Sequence, residues 1–120
     1  MKVSKEDYAH FRKRAYYWRD RLCLHDYEMD VTQEKLADTT EAECRFHHPG
    51  KSIVLAITTK YCRPYPVDTK AYVDKLSCHE ICEALLSKVR PMIPDALDEQ
   101  AEQVIHGIIH RLYKAMGETK

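Results

Sequence analysis

Five prolines, Pro49, Pro64, Pro66, Pro91 and Pro94, set where regular structure in this chain must stop. Each lacks a backbone N–H and fixes its own φ, so neither a helix interior nor a central strand runs through it. Pro49 stands with Gly50 and Lys51, a turn signal between two strand-like runs at 42–48 and 52–59. Pro64 and Pro66 break the chain after the second run. Pro91 and Pro94 end a helical pattern that extends over about 69–89.

The segments between these stops have their own signatures. Ser4 with Asp7 three residues later makes a capping box, and Tyr8, Phe11, Ala15, Trp18 and Leu22 then recur at helical steps as a core stripe. In residues 27–32, Tyr27, Met29 and Val31 alternate with Glu28, Asp30 and Thr32, the pattern of a half-buried strand. Asp95 reads as the N-cap of a last helix reaching about residue 116, with Leu97, Ala101, Val104, Ile105, Ile108 and Leu112 inward. The order predicts an α+β domain spanning 1–120: an N-terminal helix, a small antiparallel sheet of about three strands with a hairpin, and two further helices.

Composition excludes several classes. Nineteen basic and nineteen acidic residues cancel, so no global field calls for nucleic acid or an anionic membrane. The imbalance is local: Lys2, Lys5, Arg12, Lys13, Arg14, Arg19 and Arg21 face only Glu6, Asp7 and Asp20 in the first 21 residues. No apolar run is long enough to span a membrane, and the start of the chain carries no export signal, so a cytoplasmic protein with reduced cysteines is expected.

One stretch reads as chemistry: Cys78-His79-Glu80-Ile81-Cys82-Glu83, inside the helical pattern. His79 and Glu83 are four apart and project from one face of a helix, close enough to share a metal ion. Glu80 occupies the position that the zinc-hydrolase motif His-Glu-x-x-His gives to its general base. The fifth position differs, glutamate replacing histidine. A catalytic zinc site needs a third protein ligand, and the last helix offers Glu99, Glu102, His106 and His110. His106 would complete a set of two histidines and one carboxylate, suited to zinc. Glu102 as the third ligand gives a harder site, suited to manganese or iron.

Together these residues resemble the small zincin-like metallopeptidases common in bacteriophage genomes, distantly related to the SprT-type minigluzincins. The likeness is carried by Tyr16-Tyr17-Trp18-Arg19-Asp20-Arg21-Leu22 before Tyr27-Glu28-Met29-Asp30-Val31, by the strand Ile53-Val54-Leu55-Ala56, by Cys78-His79-Glu80-Ile81-Cys82-Glu83-Ala84-Leu85-Leu86, and by the helix from Glu102 to Leu112. It spans nearly the whole chain, and the motif helix is its distinctive part. The resemblance implies a zincin-like fold in which a strand edge lines the cleft beside the motif helix. It also implies a peptide or protein substrate, His79 as a ligand, Glu80 as the base, and a last-helix residue completing the site.

Other readings attach to the same residues. Without catalysis, the chain is a zincin-like binding module, with or without a structural metal. The basic first helix admits a nucleic-acid-associated role. A two-iron carboxylate site could draw on Glu80, Glu83, Glu99 and Glu102, although its usual frame takes ligands from four helices and this chain offers three. Cys78 and Cys82 lie on a helix face rotated about a hundred degrees from His79 and Glu83 and read as buried thiols, or as ligands with Cys44 or Cys62. Tyr61, Tyr65 and Tyr113 are candidates for a hydroxyl that stabilises an oxyanion. His47 and His48 read as polarity beside the turn.

Overall fold

A computed structural model describes residues 1–62 and 68–118, with side chains to Met116. Pro64, Tyr65 and Pro66 lie outside the described residues. The chain forms α1 (Lys5–Arg21), β1 (Glu28–Gln33), β2 (Ala42–His47), β3 (Ser52–Ile57), α2 (Thr69–Leu86) and α3 (Asp98–Glu118). Two short 3₁₀ turns, Arg90–Met92 and Asp95–Leu97, carry the chain through Pro91 and Pro94. The structure is α+β, with one three-stranded sheet among the described residues. Among the described residues no helix is long and apolar enough to cross a membrane.

The sheet is mixed rather than antiparallel. Its order is β1-β3-β2, with β1 parallel to β3 and β2 antiparallel to β3. Two reversals of direction, one between β1 and β2 and one at the 48–51 turn, return β3 to the heading of β1. β3 is the most apolar strand, with Ile53, Leu55, Ala56 and Ile57 all buried, and it gains most from the central place between two polar-edged neighbours. Strand alternation reveals which strands exist, but not which of them are neighbours.

α1 covers the outer edge of β1. The hydroxyls of Tyr8 and Tyr16 donate to the carbonyls of Val31 and Met29, each at 2.8 Å, so that edge is capped by side chains. β2 forms the other edge and packs beside α2. At the start of α1, Ser4 Oγ accepts from the Asp7 amide at 3.0 Å, half of the expected capping box. The Asp7 carboxylate does not reach back. It accepts instead from Tyr61 Oη at 3.0 Å and Thr69 Oγ1 at 2.8 Å, tying α1 to the start of α2.

α2 is the central helix. Val73, Ser77, Cys78, Ile81, Cys82 and Ala84 are buried round much of its circumference, because α1, the sheet and α3 each take a side. Phe11, Ala15 and Trp18 of α1 are fully buried in the same core. Asp74, itself buried, joins the three helices: its Oδ1 accepts from Arg14 Nε at 2.6 Å and Trp18 Nε1 at 2.8 Å, and its Oδ2 from Tyr113 Oη at 3.1 Å.

α3 departs from the sequence expectation in its start and its inward face. Asp95 opens a 3₁₀ turn, and α3 proper begins at Asp98. Ala101 and Ile109 are buried, while Leu97, Val104 and Ile108 are exposed. α3 packs mainly against α2, so its buried stripe is narrow and runs through Ala101, Ile105, Ile109 and Leu112. That rotation turns the neighbouring stripe, which carries Glu102 and His106, towards α2.

Candidate metal centre

α2 and α3 run antiparallel: Tyr113 reaches Asp74 near the start of α2, and His106 reaches Glu83 near its end. His106 Nε2 lies 3.1 Å from Glu83 Oε1, and His79 Nε2 lies 3.4 Å from the same oxygen. One donor atom from each of His79, Glu83 and His106 lies within 4.8 Å of the other two. Donors bound to tetrahedral zinc at about 2.0–2.2 Å are themselves roughly 3.3 Å apart, so small side-chain movements fit the three to one ion. The donor chemistry agrees, two imidazoles and a carboxylate.

The centre is half open. The His79 and Glu83 side chains are 37% and 34% exposed, and that of His106 is 51% exposed, so solvent has access beside protein ligands. Glu83 raises the pKa of His79 by pairing with it, against the lowering effect of burial. In return, His79 and then His106 hold the Glu83 carboxyl below its ordinary value.

Glu102, the alternative third ligand, stands one turn before His106. Its Oε2 is 3.7 Å from His106 Nε2, while its Oε1 accepts from Arg90 Nε at 3.2 Å. Arg90 also donates to Asp98 at 2.7 Å, so Glu102 belongs to a pair network that fastens the α2–α3 connection. Glu99 is exposed on α3 and lies outside the three-donor group. His110 lies one turn beyond His106, in a hollow of about 270 Å³ with Lys75, His79 and His106.

Glu80 is only 8% exposed and has no hydrogen bond or ion pair among the described residues. It lines a hollow of about 350 Å³ with His79, Tyr72 and the Thr39–Ala42 approach to β2. Burial, and then the charge of Glu83, push its carboxyl up to about 8. Glu80 is thus a largely buried carboxyl group that opens on this hollow beside three convergent donors, with a raised pKa suited to proton exchange.

The remaining sequence candidates are engaged elsewhere. Tyr61 donates to Asp7 and Tyr113 to Asp74, while Tyr65 lies outside the described residues. Cys78 and Cys82 are buried with their sulfurs 3.9 Å apart. Cys44 is half-buried on β2, where burial and the charges of Glu80 and Glu83 push its thiol up to about 12. No thiol enters a metal-binding group among the described residues.

His48 is the residue whose role sequence reasoning missed. Its Nδ1 is 2.7 Å from Tyr27 Oη and its Nε2 is 2.6 Å from Ser87 Oγ, which donates onward to the Ala84 carbonyl at 2.6 Å. Because Ser87 donates onward, His48 Nε2 donates to Ser87; burial, with the nearby Lys88, lowers the His48 pKa and favours the neutral ring, whose Nδ1 accepts from Tyr27 Oη. His48 also stacks on Phe46, their ring centres 5.0 Å apart, so the 48–51 turn is fixed to the end of α2 beside Glu83. His48→Ala is expected to destabilise the protein by about 1–3 kcal/mol through the unpaired Tyr27 and Ser87 hydroxyls, a change that urea denaturation will measure. His47 acts within the turn, its Nδ1 accepting from the Gly50 amide at 3.0 Å. A Cβ on Gly50 would stand 2.7 Å from that nitrogen, so a larger residue there would displace the exposed His47 ring.

Compared with protein-family models, curated proteins and solved structures, the chain matches none. The functional reading therefore rests on the residues and their geometry.

Proposed function

We propose that this chain is a zinc-dependent hydrolase of zincin-like arrangement that cleaves peptide bonds, with His79, Glu83 and His106 holding the metal and Glu80 as general base. The observation that carries the reading is the approach of three donor atoms from two helices, with the largely buried Glu80, which opens on the adjoining hollow, beside them. Supporting it, β2 is an edge strand antiparallel to its neighbour and packed beside the motif helix, so an extended chain has a strand edge to lie along. When bound, zinc would supply the positive charge that acidifies water and polarises a carbonyl.

The protein residues do the rest. Glu80 takes one proton from the attacking water as its oxygen adds to the carbonyl carbon. It returns that proton to the nitrogen as the C–N bond breaks, giving a carboxylic acid and an amine, and the acid's remaining proton then passes to the amine, so a carboxylate and an ammonium leave. Glu102, held by Arg90, stands 3.7 Å from His106 Nε2, where it would serve as a weak fourth donor.

The chain, purified without a histidine tag, is expected to hold about one zinc per molecule, to melt higher with zinc, and to lose that gain to a chelator. Uptake should weaken as pH falls, because the ligating imidazoles must be free of protons and Glu83 keeps the His79 proton bound to a higher pH than usual. Sub-stoichiometric metal together with a melting temperature indifferent to chelator would sink the reading.

A further inference from the structure

We propose that Lys75 is the substrate-anchoring cation of this site, selecting peptides that carry a carboxylate close to the bond cleaved. The inference rests on the hydrolase reading above and adds a substrate class to it.

Lys75, His79 and Glu83 succeed one another at four-residue steps and form one line along α2. Four helical residues rise about 6 Å, so the Lys75 backbone stands one turn from the metal ligand His79, within reach of its four-carbon stem. Both hollows that open on His79 are also lined by Lys75: the one holding Glu80 and the one holding His106 and His110. The second is lined by Lys75, His79, His106, Ile109, His110 and Tyr113, with no acidic side chain among them. A ligand entering it meets nitrogen donors and one ammonium.

The arginines near the site and the tyrosine hydroxyls that line its hollows are committed, while His110 shares the second hollow with Lys75. Arg14 is bound to Asp74, and Arg90 to Asp98 and Glu102. The Tyr72 hydroxyl donates to Glu41 and that of Tyr113 to Asp74. Lys75, by contrast, is exposed and has neither hydrogen bond nor ion pair among the described residues. An extended peptide advances about 3.3–3.6 Å per residue, so a carbonyl at the metal position leaves a carboxylate one or two residues along it in range of the ammonium. The carboxylate can be the end of the chain or an aspartate or glutamate side chain.

The test uses zinc-loaded Glu80→Gln protein, in which peptide is bound without being consumed, with metal content measured on the same samples. Calorimetry compares N-acetylated tetra-alanine with a free carboxyl end, its carboxamide, and a carboxamide with one alanine replaced by glutamate. At least one carboxylate peptide is expected to bind about tenfold tighter than the neutral carboxamide, the scale of a charge-assisted hydrogen bond. Preference for the first identifies a chain end, and preference for the third an acidic side chain. Lys75→Met should erase the preference while metal content and melting stay unchanged, and Lys75→Arg should retain it. In the active protein the same loss should appear in KM rather than kcat. A site with full zinc but no preference, or a preference that survives Lys75→Met, overturns the assignment to Lys75 alone. Failure to take up metal overturns the hydrolase reading, and the assignment falls with it.

Discussion

Glu80→Gln is expected to keep the metal and the fold while lowering peptide turnover by about 10²–10⁴-fold, the usual worth of a positioned general base. Glutamine matches the shape of a protonated glutamate, and burial already pushes Glu80 towards that neutral form, with a pKa of about 8. The substitution therefore removes the basic oxygen without leaving a cavity or a new partnerless charge. A sign follows for stability without metal. The Glu80 carboxyl is raised above its ordinary 4.5, so its contribution is full at low pH and is lost as pH rises towards 8, where the folded protein too must ionise it. Glu80→Gln removes that loss, so the variant should match or exceed the parent in melting temperature at alkaline pH. Lower turnover with undiminished melting would then identify chemistry rather than unfolding. Turnover equal to the parent's, with metal bound, would favour a binding module over an enzyme.

The parts of this protein legible in its sequence are those set by local periodicity. The stripe Phe11-Ala15-Trp18, the alternation of Met29 with its polar neighbours, the turn at Pro49-Gly50 and the helix carrying His79 all follow from side chains meeting neighbours a few residues away. Strand order was not legible, since the pairing of β1 with β3 depends on which edge α1 covers. The inward face of α3 was misjudged for a similar reason. Its apolar residues span a wide arc, from Leu97 and Val104 to Ile109, and only packing on α2 chooses the Ala101–Ile109 side. That choice is also what brings His106 to Glu83, so the third donor depended on a rotation that periodicity leaves open. In the sequence Asp7 and His48 look like local features, a cap and turn polarity. Each proved to be a long-range tie, because an Asp or His near an element end carries no mark of a partner tens of residues away.

Asp74 is the tie with the largest expected effect on stability. Asp74→Ala should destabilise the protein by about 3–5 kcal/mol, the cost of breaking a buried ion pair by removing one partner. The Arg14 side chain is only 16% exposed, its Nη2 is buried without a hydrogen bond, and its guanidinium lies over the Tyr17 ring with the carbon 4.0 Å from the ring centre. Without Asp74 that charge has no acidic partner in its pairing, and the Trp18 N–H and Tyr113 hydroxyl lose their acceptor at the same time. A domain with total stability of about 5–15 kcal/mol can lose most of it this way. Asp74→Asn, which keeps an acceptor oxygen and the shape but not the charge, should cost less. The order of urea midpoints is then parent, Asn, Ala. Because Tyr113 holds α3 against α2 through Asp74, the Ala variant should also bind zinc more weakly under conditions where it remains folded, as His106 loses its fixed distance from Glu83. An Asp74→Ala protein with an unchanged urea midpoint would show that the three-helix junction is held by packing alone. Weakened zinc binding without loss of stability would instead place the effect of Asp74 on the alignment of α3.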